Sequence, residues 1–363
     1  MFRIKLDYTF TEDTAPHLDN ALFTLLRAIR DSGSISQSAA LLGLSYRHVW
    51  GELKRWEGVL GHALLEWVKG RRARLSPFGE KLLWAEERAR ARVHPQAQSL
   101  AAELERAFSV VFDDSVHVLP VCASHDLALP LLRDALVPQG VHLDLRYAGS
   151  LDALRELTAG RALLAGFHVN EDHPKDSLTA RTFKRALTPG RHKLIDFALR
   201  RQGLMAAPGN PLGITGLRDL TRQGLRFINR QHGSGTRIEL DQLLAAGQID
   251  AARIKGFDSE EGTHLAVAAA VAAGAADCGF GIEAAALQYS LAFVPLALER
   301  YYLVCLKETL DHPALGILIA LLETAAWRSR IAQLPGYQID APGRIVSLTR
   351  ALPWYRYRST RPI

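Results

Sequence analysis

The chain of 363 residues is too long for one ordinary domain, so two or three domains are expected. Its hydrophobic fraction of 48% and charged fraction of 23% are typical of a globular protein with a real core. No apolar run reaches the roughly 18 residues of a membrane span, and the start lacks the apolar segment of a signal peptide, so no membrane partner is expected. The three cysteines, Cys122, Cys278 and Cys305, are widely spaced. They suit a cytoplasmic protein without a metal or redox motif.

Positive charge is concentrated near one end of the chain, although the net charge is only +6. Between Tyr46 and Arg74 the sequence has seven cations and three anions, and a shorter basic run lies between Arg344 and Arg361. Such a run can be no more than a solvated face, but its concentration also indicates a polyanion as partner.

The first elements in chain order have the pattern of a helix-turn-helix. Residues 18–30 are amphipathic with helical spacing, Ser34 opens a short helix with capping-box spacing, and Gly43 permits a tight turn. Ser45 then caps a third helix that runs to about residue 57. A DNA-binding helix-turn-helix places this third helix in the major groove.

A wing and a long helix are predicted next. Two short strands surround the basic run at residues 69–72, which is typical of a hairpin wing. Pro77 is placed at the first position of a long helix, and Pro95 is expected to kink or break it.

The residues expected to contact DNA lie on the third helix, its caps and the wing. Val49, Leu53 and Trp56 share the face that should be buried, which leaves the cations on the opposite face. Near the start of the helix, Arg47 and His48 are candidates for base contacts, and later cations for phosphate contacts. A solvated basic face on a helical subdomain is the alternative. The full set of candidates is Ser34, Ser45, Tyr46, Arg47, His48, Lys54, Arg55, Lys69, Arg71 and Arg72.

From about residue 112 the pattern changes to short apolar strands that alternate with helices. This alternation predicts βαβ units and a mostly parallel sheet, and about 230 residues suggest two α/β lobes. Residues 194–206 are expected to cross between the lobes, and residues 295–303 to return. The predicted domains are 1–76 for DNA binding, 77–111 for a dimerisation helix, 112–340 for sensing, and 341–363 for a basic tail.

Four polar turns follow strands in this region, at or near predicted helix starts. In parallel α/β sheets such turns lie at the carboxyl ends of strands, where ligands bind. Backbone N–H groups at a helix start, together with hydroxyls and a cation, form an anion site. The alternative is that these residues only cap their helices. The candidate ligand-binding residues are Ser124, His125, His168, Arg230, His232, Ser234, Gly235, Thr236, Arg237, Thr263 and His264.

The stretch from Ser32 to Tyr46, Val49-Trp50, and the run from Leu75 to Lys81 resemble the winged helix-turn-helix of the ModE family of molybdate-responsive regulators. LysR-type regulators share the same plan more distantly. The resemblance covers about residues 18–90. It implies a homodimer joined through the long helix and bound to a two-fold operator in double-stranded DNA, with tetramer formation left open. The small all-β molybdate modules of the ModE pattern have no counterpart in the rest of the chain.

Residues 226–237 and 263–281 resemble the periplasmic-binding-protein-like domain related to molybdate- and tungstate-binding proteins. This second resemblance covers roughly residues 113–335. It implies a two-lobed, type II periplasmic-binding-protein-like α/β clamshell with the ligand between its lobes. In the transporter relatives, neutral hydroxyls and amides hold the oxyanion, whereas histidines and arginines crowd the turns here. A larger anion, such as a phosphate-bearing molybdenum-cofactor species, fits this chemistry equally well.

Taken together, these features predict a cytoplasmic one-component transcription regulator that senses a small anion, with molybdate, tungstate or a molybdenum-cofactor species as candidates. A LysR-type regulator of an organic acid and a solute-binding protein are the alternatives. Catalysis is not expected: Ser124-His125-Asp126 are adjacent, whereas the members of a catalytic triad come from separate segments. No metal and no covalently bound cofactor is expected.

Overall fold

The computed structural model describes residues 20–68, 72–112, 117–170 and 174–355. The described residues form two compact units, of which one ends at Arg90 and the other begins at Ala91. The boundary between them lies inside one long helix, α4 (Pro77–Phe112). None of the helices in the described parts of the chain has the length and apolar character of a membrane span.

The N-terminal unit is a winged helix-turn-helix, as predicted. Its core joins the apolar faces of three helices to the inner side of the wing, and includes Leu26, Val49 and Trp56. Strands β1 and β2 pair antiparallel, with Leu65 opposite Leu75. The elements are α1 (Asn20–Ser32), α2 (Ile35–Leu41), α3 (Tyr46–Leu60), β1 (Leu65–Val68) and β2 (Arg72–Leu75).

Buried ion pairs hold the first part of α4 against α1. Glu86 and Glu87 are both 2% exposed. Arg27 contacts Glu86 at 2.9 Å and Glu87 at 3.3 Å, and Arg30 contacts Glu87 at 3.1 Å. Because carboxylates are rarely buried unless they are paired, these contacts explain how the polar stretch can face the core.

Of the two effects expected at Pro95, a kink or a break, the break does not occur, because α4 continues through this residue. Proline lacks the N–H that would bond the carbonyl four residues earlier, which here belongs to Ala91. The Thr263 hydroxyl donates a hydrogen bond to that carbonyl at 3.2 Å. The helix therefore continues without leaving this buried acceptor unpaired.

The second unit is an α/β domain built on one large sheet. Its strands are β3 (His117–Ala123), β4 (Val141–Tyr147), β5 (Leu164–Val169), β6 (His192–Ala206), β7 (Phe227–Arg230), β8 (Glu260–Glu261), β9 (Cys278–Ile282), β10 (Ala292–Leu306), β11 (Tyr337–Gln338) and β12 (Ile345–Ser347). Its helices, after the end of α4, are α5 (Ala128–Leu136), α6 (Ser150–Thr158), α7 (Leu178–Lys184), α8 (Gly235–Ala246), α9 (His264–Ala272), α10 (Glu283–Gln288), α11 (Pro313–Glu323), α12 (Ala325–Ala332) and α13 (Leu348–Ala351).

Two lobes share this sheet, which confirms the predicted two-lobed α/β architecture. The strand order is β4-β3-β5-β10-β6-β9-β7-β8. Strands β3, β4 and β5 are parallel and form the first lobe, and β7, β8 and β9 are parallel and form the second. The long strands β6 and β10 pair antiparallel and run through both lobes, as expected for the two crossing segments.

Two local predictions need correction. The helical pattern of residues 313–327 predicts one helix, but the structure has two, because the Thr324 hydroxyl accepts a hydrogen bond from the Trp327 N–H at 3.1 Å and caps the second. Residues 345–355 of the expected basic tail are packed structure. Val346, Leu348 and Trp354 are buried in the core of the first lobe, so apolar contacts rather than charge place this segment.

Candidate functional site

The two serines predicted at the helix-turn-helix act as helix caps. The Ser34 hydroxyl accepts a hydrogen bond from the Gln37 N–H, and the Ser45 hydroxyl accepts one from the His48 N–H at 3.1 Å. Gly43 between the two helices has φ +67°, a left-handed conformation that favours glycine. The caps fix where α3 begins, and hence which of its side chains point outward.

Helix α3 buries one face and exposes the other, as its spacing predicts. Val49, Leu53 and Trp56 are buried, whereas Arg47 and His48 are exposed. Exposed side chains in the first turn of such a helix are free to meet base edges in a major groove.

The two later cations of α3 form ion pairs within the helix. Lys54 contacts Glu57 at 2.6 Å, and Arg55 contacts Glu52 at 2.6 Å. Both cations are about half exposed, at 53% and 49%, and exposed pairs of this kind contribute little to stability. These two cations could therefore leave their glutamate partners and bind DNA phosphates at little cost in free energy.

An aromatic row beside these cations was missed by sequence reasoning, apart from Tyr46. The Tyr46 and Trp50 rings are stacked with centroids 6.5 Å apart, and Trp50 lies 5.9 Å from Trp67 on β1. Tyr46 is 49% exposed and Trp67 is 59% exposed. Trp67 shares a face of β1 with the buried Leu65, so strand alternation would have predicted it to be buried and gave no signal of its exposure. For the wing, Lys69 and Arg71 lie outside the described residues, and Arg72 begins β2.

In the second unit, a cavity of about 310 Å³ lies between the two lobes. The first lobe contributes residues from the end of β4 and from the turns after β3 and β4, and the second lobe contributes residues of β7 and β8 and of the turns that follow them. The remaining wall comes from α4. The residues that line this interlobe cavity are Arg92, Pro95, Gln96, Ser124, His125, Tyr147, Ala148, Arg230, Gln231, Glu260, Glu261, Gly262 and Thr263.

Glycines allow the lobes to approach one another closely beside this cavity. A Cβ on Gly149 of the first lobe would lie 3.2 Å from the Gly233 carbonyl oxygen, and one on Gly235 would lie 3.2 Å from Ser150 Oγ. The glycine-rich turn after β7 therefore faces the turn after β4, with direct backbone contact at Gly149 and the Ser150 side chain against Gly235.

Arg230 is the cation buried in the cavity wall. It is 1% exposed, and its Nη2 donates a hydrogen bond of 3.0 Å to the Gly262 carbonyl. Its Nε and Nη1 have no hydrogen-bond partner among the described residues. Burial, followed by the charge of Arg200, lowers the pKa of Arg230 to about 9. Burying this charge costs free energy, and an anion placed against Nε and Nη1 would offset that cost.

Arg200 next to this site is fully paired, in contrast to Arg230. Its guanidinium contacts Asp126 at 2.5 Å and also hydrogen-bonds Glu299, which is opposite it on β10. Asp126 accepts further hydrogen bonds from the Tyr337 hydroxyl at 2.6 Å and the Ala128 N–H at 2.8 Å. This ion-paired cluster joins β6, β10 and the turn after β3. Sequence reasoning did not identify it, because its partners come from distant segments.

The three predicted histidines other than His232 lie in or behind the cavity, and all are buried. Ser124 Oγ and His168 Nε2 share a hydrogen bond of 2.8 Å, and the His264 ring lies 3.4 Å from the Thr236 hydroxyl. Burial, together with nearby arginines, lowers the pKa of His125 to about 3 and those of His168 and His264 well below 6.5. Near neutral pH these rings are therefore uncharged hydrogen-bonding groups.

A polar cluster continues inward from the cavity and includes groups that sequence reasoning missed. Several buried polar atoms in it have no hydrogen-bond partner among the described residues, which is unusual for a protein interior. Besides two nitrogens of Arg230, they are Ser150 Oγ, His168 Nδ1, Gln202 Oε1, His264 Nδ1 and the Tyr301 hydroxyl.

Several predicted ligand-binding residues have other roles. His168 lies within β5 rather than in a turn at a helix start, and the His232 side chain is exposed. The Arg237 guanidinium contacts Asp241 at 3.0 Å and Glu260 at 2.8 Å, so carboxylates already neutralise it. Ser234 caps α8, and Gly235 is its first residue.

Thr263 also differs from its expected role. Its hydroxyl accepts a hydrogen bond from the Ala266 N–H and donates one to Ala91, so its single proton is already used. Of the predicted set, Ser124, His125, Arg230 and Thr263 line the cavity. The described residues contain no group of three or more His, Cys, Asp or Glu side chains that could hold a metal ion.

Acidification should destabilise the protein through these histidines. The folded-state pKa of His125 is about 3 and its ordinary value is 6.5, so the unfolded chain binds more protons between these values. Stability should thus fall as pH drops below 6.5. From pH 7 to 5, His125 alone should contribute a loss of about 2 kcal/mol.

Urea denaturation at pH 7 and pH 5 measures this loss. His125→Asn should reduce it by about that amount, and a change at the exposed His117, His117→Asn, should not. An identical pH dependence in all three proteins would contradict the assignment of a neutral His125.

Comparison with known proteins identifies both units. Residues 21–80 match the bacterial regulatory helix-turn-helix protein model of the lysR family. Residues 133–323, more than half of the chain, match the PBP superfamily domain. The helix-turn-helix match is thus to the LysR family, the more distant of the two expected resemblances. The expected ModE-like character and molybdate specificity find no support.

Two uncharacterized proteins are also similar to this chain in sequence. Uncharacterized protein YvgK of Bacillus subtilis (strain 168) is 33% identical over 201 residues, which are 55% of this chain and 64% of YvgK. The chain therefore spans less than two thirds of the length of YvgK. An uncharacterized protein in the ferredoxin 2Fe-2S gene 5' region of Clostridium pasteurianum is 36% identical over 111 residues, 30% of this chain and 98% of that protein.

Solved structures of LysR-type regulators are also similar, at low identity. The Corynebacterium glutamicum OxyR C206 mutant is 18% identical, with 86% of this chain and 95% of that chain covered and a TM-score of 0.39. Full-length BenM is 16% identical, with coverages of 86% and 96% and a TM-score of 0.43. At these values no property of either regulator is transferred to this chain. On the two family matches, the chain belongs to the PBP superfamily and carries, ahead of that domain, the helix-turn-helix of LysR-type regulators.

Proposed function

We propose that this protein is a one-component transcription regulator whose PBP-like domain binds a small anionic effector in the interlobe cavity. The observation that carries the effector assignment is Arg230, a buried cation with two N–H-bearing nitrogens left without partners among the described residues. The lysR-family helix-turn-helix supports the regulatory role and weighs against a solute-binding protein.

The chemistry of the cavity favours an anion with one compact charged group and an uncharged remainder. Arg230 supplies buried N–H donors for the charged group. The remaining contacts are uncharged, because His125 is neutral and because Tyr147 and Ala148 contribute an aromatic ring and a methyl group. The cavity of about 310 Å³ has about ten times the volume of one water molecule in the liquid, roughly 30 Å³. A tetrahedral oxyanion such as molybdate or tungstate has only five heavy atoms and would leave much of the cavity empty. An organic acid or a phosphate-bearing species fills the space better.

A thermal-shift panel tests the effector class on the full chain. Sodium molybdate, tungstate, sulfate, phosphate and benzoate would each be added separately, with sodium chloride at matched ionic strength as the control. The proposal expects stabilisation by benzoate or phosphate at concentrations where chloride has no effect. Stabilisation by molybdate or tungstate alone would restore the original oxyanion assignment, and no stabilisation by any of the five would contradict the anion site.

We also propose a homodimer joined through α4. Three apolar side chains on this helix, Val93, Leu100 and Leu104, are 46%, 50% and 38% exposed. Their spacing of seven and four residues places them on one side of the helix, where a second copy could cover them. Sedimentation of the full chain, compared with that of Leu100→Glu, tests this assembly: the parent protein should sediment as a dimer and the variant as a monomer.

For DNA recognition, Arg47→Ala and Lys54→Ala should have different effects. We propose that Arg47 contacts bases, so its loss should cost about 1–3 kcal/mol of binding free energy on a selected operator and little on random duplex DNA. We propose that Lys54 contacts phosphates, so its loss should weaken binding to both and reduce the salt slope by about 1.

Fluorescence anisotropy on an operator selected from a random library, repeated at several salt concentrations, measures both effects. Lys307→Ala changes an exposed cation of the other unit and should alter neither. If both α3 variants bind like the parent protein, α3 is not the recognition helix.

A further inference from the structure

The second half of α4 is bonded to the turn after β8 in the second lobe. The Ala91 carbonyl, which Pro95 leaves without a helical partner, accepts the Thr263 hydroxyl hydrogen bond at 3.2 Å. One residue later, Arg92 forms a two-pronged ion pair with Glu261 at 2.5 and 2.6 Å. Glu261 is 3% exposed, and Arg92 supplies a positive charge to this buried carboxylate.

The same part of α4 is also bonded to the first lobe. The Ser99 hydroxyl donates to the Pro95 carbonyl at 3.0 Å and accepts from the Tyr147 N–H at 3.2 Å. Further along, Arg106 contacts Asp144 at 3.3 Å. We refer to residues 91–106 as the bridging segment, because they contact both lobes.

The bridging segment also forms part of the cavity. Arg92, Pro95 and Gln96 line it together with residues of both lobes. Among its lining residues, Arg92 is the cation other than Arg230, because His125 is neutral near pH 7. Two lining carboxylates oppose an anion: Glu260, which Arg237 neutralises, and Glu261, which Arg92 neutralises. The Arg92 side chain therefore offsets negative charge at the cavity.

We propose that the bridging segment is the third wall of the effector site, with Gln96 contacting the bound anion and Arg92 setting its affinity by offsetting the charge of Glu261. The inference rests on the proposed anionic effector. Because α4 begins in the helix-turn-helix unit, one continuous helix joins the bound effector to the DNA-binding end of the chain. A change in the distance between the lobes must alter the contacts of the bridging segment to at least one of them.

The ligand-free test is hydrogen exchange of the full chain. Arg92→Gln should speed exchange in peptides that cover residues 91–99 and 260–266 by about fivefold, since it removes one charge-assisted contact. The matched control is Arg90→Gln, which changes a cation of the same helix whose partner, Glu86, lies one turn earlier. Equal exchange in all three proteins would overturn the bridging role.

The ligand test uses sodium benzoate and sodium phosphate as separate probes in titration calorimetry. Arg92→Gln should raise the Kd of the bound salt at least tenfold, Arg90→Gln should leave it unchanged, and Arg92→Gln combined with Glu261→Gln should recover part of the loss. A parent protein that binds neither salt would contradict the proposed function. A parent protein that binds one, with an unaltered Kd in Arg92→Gln, would overturn this inference alone.

Discussion

Replacement of Arg230 by glutamine is expected to abolish anion-dependent stabilisation while leaving the unliganded protein as stable as the parent or more so. The guanidinium is buried with two nitrogens unpaired, so its removal relieves a desolvation cost of about 1–3 kcal/mol in the empty protein. With an anion present, the same change removes a charge-assisted, two-pronged contact, which is the strong class of hydrogen bond.

Thermal unfolding with and without sodium benzoate or phosphate, and direct titration of each salt, measure both effects. Arg237→Gln is the matched control: Arg237 is also nearly buried, but Asp241 and Glu260 already neutralise it. Because its loss leaves the cavity residue Glu260 without its cation, it should reduce the anion-dependent shift without abolishing it. If instead Arg237→Gln abolished the shift and Arg230→Gln retained it, the assignment first suggested by the glycine-rich turn would be correct.

Loss of Arg200 should be the most destabilising single change considered for the second unit. Arg200→Met leaves Asp126 and Glu299 buried without their cation, and breaking a buried pair in this way costs about 3–5 kcal/mol. The uncompensated Glu299 carboxylate should then take up a proton in the folded state. The loss of stability should therefore be larger at pH 8 than at pH 5, since burial raises the pKa of Glu299 above its ordinary value.

Urea denaturation followed by circular dichroism at the two pH values tests this expectation. Arg226→Gln breaks an ion pair with Asp277 in which Arg226 is 45% exposed, and it should cost less than about 1 kcal/mol. Similar losses in the two variants would show that the Arg200 cluster contributes no more than a surface pair.

Local patterns were sufficient to predict the helix-turn-helix and the alternation of strands and helices. Caps at Ser34 and Ser45 and the apolar spacing of α3 depend only on neighbours in sequence, so periodicity detects them. The absence of a break at Pro95 shows the limit of this approach. Whether a proline interrupts a helix depends on what satisfies the freed carbonyl, and here that group is Thr263, which is distant in sequence.

The choice between Arg230 and Arg237 could not be made from the sequence for the same reason. Both arginines lie beside the glycine-rich turn. Only the fold shows that Arg237 forms ion pairs with two carboxylates, whereas Arg230 donates a hydrogen bond to a single carbonyl. The Arg200 cluster likewise requires the antiparallel register of β6 and β10, which places Arg200 opposite Glu299. A sequence pattern identifies residues that can carry charge, and tertiary pairing decides which charges remain available.

The β6–β10 ribbon that passes through both lobes has a mechanical consequence. Its pairing shifts register between Pro295 and Ala297 and again between Tyr301 and Tyr302, on either side of Arg200 and Glu299. A ladder bends most easily at such irregularities, because hydrogen bonds are missing there. The lobes can thus change their mutual angle by flexing a few residues, without any segment folding or unfolding. The response to an effector would then be a small change in the angle between the lobes, with the paired residues Arg200 and Glu299 as the fixed centre. The size of this change would vary with how far each ligand holds the lobes apart.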